Sequence, residues 1–310
     1  MKLHILNPGP LTTVQDRGRF GYMAYGIGPS GAMDTAAYEA ANALTGNRNG
    51  EAVLEATLLG PTIHFDADCT IALTGADMGA QLDGKPLETY LPHAVQAGQT
   101  LTMGMAVTGC RGYLAVSGGI DVPLVMGSRS TNLKCQLGGV EGRALKRGDV
   151  LEAAGGSTVA CKGTVKKPEL SQSVTVRVIP GPQDDLFTAK GLETLWGSTY
   201  SVSTSSDRMG LRLDGPAVET ISGSDIVSDG IAFGAIQVTS AGQPIILMAD
   251  RQTTGGYAKV GTVCTEDLPK LAQLKPGGTV RLKPITVQEA QRLLRKHRWL
   301  SWLKIRRKNT

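Results

Sequence analysis

The chain has 310 residues, 41% of them hydrophobic but with only 4 Phe and 3 Trp, and a formal net charge of +5. That length can bury a substantial core as one large or two medium domains, packed mostly from Val, Ile, Leu and Ala. Eight Lys or Arg and no acid lie between Arg292 and Lys308; removing those eight from +5 leaves −3 for the rest, which argues against a nucleic-acid-binding body.

The 40 glycines follow no collagen-like period, so they point to many turns between many strands. Met1 to Arg19 holds no continuous apolar signal region, and no apolar run reaches the roughly 18 residues that span a bilayer. No membrane association is expected. The cysteines (Cys69, Cys110, Cys135, Cys161 and Cys264) are odd in number, scattered and never C-x-x-C. Free thiols in a reducing cytoplasm fit that pattern.

In chain order, residues 1 to 33 read as short extended pieces broken by Gly and Pro. A helix follows, capped by Asp34, striped by Ala37, Ala40, Ala41 and Leu44, and stopped at Gly46. From Ala52 to Leu151 the pattern is mainly β, with Asp83-Gly84 as a hairpin turn. The polar segment Gly155 to Ser173 reads as a linker between a domain over 1–160 and another over 174–290.

The second half opens with a strand from Val174 to Ile179. After Pro180-Gly181-Pro182 a helix is expected with Asp184 and Asp185 in its first turn, where carboxylates suit the dipole. Strands recur through Val202, Arg212, Ile226, Ile236 and Ile246. A short helix is expected over 266–274 and a last strand over Thr279 to Leu282. Thr286-Val287-Gln288-Glu289 is a capping box opening a final helix; 291–310 is a basic helix or tail, read as a cap with a solvated end rather than a membrane anchor. The whole reads as mainly β with a few short helices.

Several motif-like stretches carry little chemistry. Gly26-Ile27-Gly28-Pro29-Ser30-Gly31 fits G-x-G-x-x-G, but the β-rich sequence after it leaves no doubly wound sheet for a dinucleotide. Gly79 to Lys85 begins like a P-loop, yet Pro86 stands where a hydroxyl is needed. His64, Asp66 and Asp68 share one strand face, which reads as the solvated side more simply than as a metal site. His4, His93 and His297 lack partners at ligand spacing, so no metal is expected.

The stretch Asp250-Arg251-Gln252-Thr253-Thr254-Gly255-Gly256-Tyr257 is different. An apolar strand, Pro244 to Ala249, delivers a carboxylate, a guanidinium, an amide and two hydroxyls, and two glycines then allow a tight turn or close approach to a ligand. An ordinary Gly-Gly hairpin is the competing reading. Arg208 suits two-point recognition of a carboxylate or phosphate, or an ion pair with Asp207 or Asp214. Gln237 lies on an apolar strand, where an amide is costly to bury without a partner.

Thr12-Thr13-Val14-Gln15-Asp16 with Gly18, Arg19 and Gly21, Ser30-Gly31-Ala32-Met33-Asp34, and Met126 to Thr131 form one set of motifs. Gly138 to Arg143, Ser206 to Gly210, Gly234 to Val238 and Gln252 to Tyr257 form another. Together, from about residue 3 to 290, the chain resembles the biotin-dependent carboxyltransferase, or allophanate hydrolase subunit 2, family, and within it the branch formed by the C subunits of 5-oxoprolinase. The resemblance implies two cyclophilin-like, β-barrel-type domains and a cytoplasmic complex with 5-oxoprolinase subunits A and B. Such a complex opens 5-oxoproline to L-glutamate with ATP. In other members the module is the carboxyltransferase part of urea carboxylase, or an antagonist of a kinase inhibitor.

On that reading Arg208 holds an anionic group, Gln237 and Gln252 bond the ring amide, and Asp250 accepts a proton. Thr253, Thr254 and the Gly255-Gly256-Tyr257 backbone line the oxygen site, and Asp16 and Arg19 complete it. One departure is Ala258-Lys259, where the family usually continues with Pro; a looser loop carrying an extra cation is expected there. The chain shows neither an ATP-binding signature nor a biotinyl-lysine motif, so it is expected to be inactive alone, with ATP used by the complex.

Overall fold

A computed structural model describes residues 1–48, 50–153 and 165–295. Cys161, most of the linker and the basic end after Arg295 lie outside the described residues. The chain divides into two compact units, Met1–Gln172 with Ala272–Lys275, and Ser173–Leu271 with Pro276–Thr310.

In the first unit two sheets enclose one core. The seven-stranded sheet runs Ile120–Asp121, Val150–Ala153, Lys2–Asn7, Thr62–Phe65, Thr100–Thr102, Gln81–Leu82 and Lys85–Pro86. The five-stranded sheet runs Thr12–Gln15, Val53–Thr57, Thr108–Val116, Cys69–Asp77 and Pro92–Val95. Alternate residues such as Leu3 and Ile5, or Ile63 and Phe65, are fully buried in the shared core, as a period of two requires. Asp83 and Gly84 both have positive φ, the geometry of a two-residue hairpin whose twist matches its strands.

The helix Thr35–Leu44 starts where the sequence places it. Asp34 accepts from the Ala37 N–H at 2.9 Å, and Ala37, Ala41 and Leu44 are buried against the sheet side. Beneath the cap is a buried polar network. The Gln273 Nε2 donates to Asp34 Oδ2 at 2.8 Å, Tyr113 Oη accepts from the Asp34 N–H, and the same hydroxyl donates to Glu55. Burial pushes the Asp34 carboxyl up to about 6 from 3.8, against the opposing Gln273 bond.

A raised folded-state pKa means that the folded form binds the proton more tightly. The resulting stability is complete below about pH 4 and is lost as pH rises through 6, about 3 kcal/mol in all. Asp34→Ser keeps a capping oxygen but cannot titrate. In urea unfolding, the wild type is expected to lose stability relative to this variant between pH 4 and 7, and a gap independent of pH would refute the assignment.

His64 spends its ring on a contact with Thr100 Oγ1 at 3.3 Å, while Asp66 and Asp68 accept from backbone N–H groups. No group of three or more potential metal ligands occurs among the described residues. The four described cysteines are free, and no helix among the described residues is long and apolar enough to cross a membrane.

The second unit is a closed seven-stranded barrel. Its order is Ser173–Pro180, Lys259–Val263, Ala235–Val238, Pro244–Leu247, Gly210–Asp214, Thr199–Val202 and Thr279–Pro284. The last strand returns to the first in parallel register, Ser173 beside Thr279 and Val178 beside Pro284, and every other pairing is antiparallel. Val176 and Val178, Leu211 and Leu213, Ile236 and Val238, and Val280 and Leu282 are all buried, alternating along their strands into the barrel interior.

The aspartates after Pro182 form only a turn of 3-10 helix, Asp184–Leu186. The helix proper begins later, at Ala189, capped by Thr188, whose side chain accepts from Gly191. The short helix expected over 266–274 is likewise divided, into a 3-10 turn Thr265–Asp267 and Leu268–Ala272. The capping box at Thr286 and Glu289 is formed in both directions. Mainly β architecture with short helices is therefore what the chain adopts, with closure into a barrel seen in the second unit.

Candidate functional site

Apolar residues at 211, 213, 236, 238 and 246 fill the barrel, so their neighbours at 210, 212, 237, 239, 245 and 247 face outward. On that outer wall lies a cavity of about 310 Å³. Its floor is Ile245 and Leu247, part of a small apolar cluster with Ile231 and Ala235. Its flanks carry Arg212, Gln237 and Gln252, and Gly255, Gly256 and Tyr257 close over it.

The cover is a two-stranded ribbon, Asp225–Gly230 paired with Thr254–Tyr257. Gly255 and Gly256 are thus extended strand residues with no positive φ among them, not the apex of a hairpin. Gly255 matters for another reason. A Cβ there would stand 2.7 Å from both Gln237 Nε2 and Ile231 Cδ1, so a larger residue would have to displace the ends of these two side chains for the ribbon to lie this close.

Gln237 is 6% exposed and donates from Nε2 to the Tyr257 carbonyl at 3.1 Å. That bond fixes which end of the amide carries the nitrogen. Oε1 has no protein partner among the described residues, and Gln237 is one of the residues that line the cavity. Gln252 is exposed on the same wall, with no side-chain hydrogen bond of its own among the described residues. Thr253 accepts through its carbonyl from the Ile231 N–H; neither it nor Thr254 lines the cavity.

Arg208 and Asp250 are engaged with each other. Nε reaches Oδ2 at 2.9 Å and Nη2 reaches Oδ1 at 3.1 Å, with both side chains at most 5% exposed, and the Asp250 N–H adds a bond to the Arg208 carbonyl. Asp250 is thus an ion-pair partner of Arg208, and neither member of the pair lines this cavity. Asp207 turns the chain at 207–210 by accepting from the Met209 and Gly210 N–H groups.

Arg251, 8% exposed, bonds the Ile231 and Met248 carbonyls and lies over the Phe233 ring at 5.4 Å. Burial lowers its pKa to about 10. Pinned by the neighbouring Asp250 and Arg251, the chain projects Gln252 outward.

Asp16 and Arg19 belong to the first unit, inside its own loops. Asp16 accepts from Ser128 Oγ, Ser130 Oγ and the Gly18 and Arg129 N–H groups, and Arg19 donates to the Val125 and Ser130 carbonyls. Four donors on one buried carboxylate hold the 16–19 and 126–131 segments together.

The Ala258-Lys259 departure tightens the ribbon rather than loosening it. The Ala258 N–H, which proline would lack, donates to Ser224 at 2.7 Å. Lys259 Nζ reaches Asp229 Oδ2 at 2.6 Å, and this cation beside it holds the Asp229 carboxyl below its usual range. The extra cation thus serves the ribbon, not the cavity.

Arg212 and Asp207 are wall residues that sequence reasoning passed over. Arg212 sits between buried Leu211 and Leu213, an alternation that reads first as a solvated position. The usable signal is that Gln237, between Ile236 and Val238, shares its phase.

A family model for the carboxyltransferase domain, subdomain A and B, matches residues 25–284. The chain belongs to the carboxyltransferase domain family. This family member is 39% identical to the C subunit of 5-oxoprolinase from Haemophilus influenzae over 95% of both chains. It is 40% identical to that of Escherichia coli over 93% of both chains. Among solved structures it matches Kluyveromyces lactis urea carboxylase with a TM-score of 0.87 at 32% identity, covering 94% of this chain. It spans only 28% of that larger carboxylase, so the match concerns one part of it.

Proposed function

We propose that the chain is a subunit of an ATP-dependent 5-oxoprolinase complex, acting with subunits A and B in the cytoplasm to open 5-oxoproline to L-glutamate. The likeness to two 5-oxoprolinase C subunits along nearly their whole length supports this placement. The observation that carries the substrate reading is Gln237. One N–H of its amide donates to Tyr257, Oε1 has no protein partner among the described residues, and the residue lines the cavity. With the uncommitted Gln252 amide on the same wall, the site offers an acceptor for a lactam N–H and a donor for its C=O.

A five-membered lactam is a poor electrophile. ATP, used by the complex, would phosphorylate the amide oxygen; water then adds to the carbon and the C–N bond breaks. That step frees the amine and leaves an acyl phosphate, which a second water hydrolyses to carboxylate and phosphate. This chain's own part is to orient the ring between the two glutamines on an apolar floor and to exclude water beneath the ribbon. The Arg208–Asp250 pair fixes the turn that presents Gln252. Asp16 and Arg19 are assigned a loop-organising role in the first unit.

The match to urea carboxylase favours a second reading, the carboxyltransferase step of a biotin-dependent carboxylase acting on urea or another amide. A module that merely binds and releases a kinase inhibitor would show no turnover at all. The experiment is to purify the chain with subunits A and B and measure ATP-dependent glutamate formation from 5-oxoproline. Glutamate formation dependent on this chain is expected. Its absence, with amide-dependent bicarbonate consumption once a biotin carboxylase and biotinyl carrier are added, would select the second reading.

A further inference from the structure

We infer that Arg212 is the specificity-determining residue of the outer-wall cavity: it anchors a substrate carboxylate and thereby selects an acidic lactam over an uncharged amide such as urea. The inference rests on the proposed lactam-opening function and adds the feature that would separate it from urea chemistry on the same scaffold.

Three observations carry it. First, register puts Arg212 and Gln237 on one row. Arg212 pairs with Ile245 on one side of the central strand and Gln237 pairs with the same Ile245 on the other. Side chains opposite each other on adjacent strands share a face, so both project from the outer wall and flank the apolar Ile245 floor. Two strand spacings of about 4.8 Å put their backbones roughly 10 Å apart. A small ring bonded edge-on to Gln237 therefore has its adjacent substituent within reach of an arginine side chain.

Second, the Arg212 guanidinium has no hydrogen bond or ion pair among the described residues. The wall carboxylate, Asp207, is not within salt-bridge distance of it and is already accepting from the chain turn at 209–210. Of the other cations near the ribbon and the turn, Arg208 and Lys259 each pair with an aspartate, and Arg251 bonds the Ile231 and Met248 carbonyls.

Third, the backbone of Arg212 is held on both sides. Its N–H donates to Ser206 Oγ at 3.0 Å, and its carbonyl accepts from Ser203 N and Ser206 Oγ. The guanidinium is thus presented from a fixed strand position. A planar fork with free donors beside an amide-reading pair matches a ring that carries both a carboxylate and a lactam. Urea would leave the fork unused.

The test compares the wild-type complex with Arg212→Gln and Arg212→Lys complexes, using 5-oxoproline as substrate and 2-pyrrolidinone, the same lactam without the carboxylate, as competitor. Arg212→Gln is expected to raise KM for 5-oxoproline roughly 10- to 100-fold with kcat within about threefold. Inhibition by 2-pyrrolidinone should not change, and Arg212→Lys should recover part of the loss. An unchanged KM, or an equal loss of 2-pyrrolidinone binding, would overturn the inference. Should the wild-type complex form no glutamate, the lactam-opening function fails first. Calorimetric binding of 5-oxoproline to the full chain then decides the anchor: binding lost in Arg212→Gln upholds it, whereas equal binding or none by the wild type overturns it.

Discussion

Arg208→Met is expected to remove about 3–5 kcal/mol from the stability of the folded chain. Asp250 keeps both carboxylate oxygens at hydrogen-bond distance from Arg208 at a site at most 5% exposed. Removing the guanidinium leaves a buried carboxylate without those two donors, and the desolvation it has already suffered is no longer offset. Urea unfolding followed by circular dichroism measures the loss.

The paired change Arg208→Met with Asp250→Leu should recover much of the loss, since an apolar pair of similar volume has no charge to desolvate. A single-variant loss under about 1 kcal/mol would mean that the pair is solvated in solution. The pair also separates two roles for Asp250. If it only positions the turn, Asp250→Asn in the assembled complex lowers activity without reshaping the pH profile. If it accepts a proton in the reaction, the acidic limb of the profile disappears.

Gln237→Leu should have the largest effect on function, a roughly 10- to 100-fold loss of kcat/KM in the assembled complex. Leucine keeps the volume and the apolar strand but removes two things at once. The Tyr257 carbonyl loses its donor, and the cavity wall loses the amide proposed to read an N–H edge. Hydrogen exchange separates these losses. Faster exchange at 254–257 reports release of the ribbon, while a normal exchange pattern with impaired turnover isolates the lost acceptor. Full activity in Gln237→Leu would remove Gln237 from the substrate site.

The readable parts of this chain were those settled within a few residues. The Asp34 cap, the Thr286–Glu289 box and the Asp83-Gly84 turn each depend on hydrogen bonds or φ values inside one turn of chain, so local sequence specifies them. The same locality explains the misplaced helix after Pro182. Asp184 and Asp185 are good first-turn residues, but Thr188 caps better, with its hydroxyl on the Gly191 N–H.

Pairings across the barrel were not readable. Arg208 and Asp250 are 42 residues apart, a separation that local sequence does not bridge. Gln237 stands out because an amide among apolar residues is anomalous wherever it falls. Arg212 does not, because an exposed arginine alternating with leucines is the commonest thing a strand can show. Only the register with Ile245 reveals what it faces.

The parallel seam between Ser173–Pro180 and Thr279–Pro284 has a consequence for how the protein is made. A barrel whose first strand is closed by its last cannot complete until residue 284 has left the ribosome. The first unit waits as well, because Ala272–Lys275 belongs to it and Gln273 supplies the bonds to Asp34, Cys110 and Arg111. About 100 residues separate Gln172 from that segment, roughly 5–20 s of synthesis. Through that interval the nascent chain carries a nearly finished first unit missing one short piece, and Asp34, Cys110 and Arg111 lack the bonds that Gln273 brings.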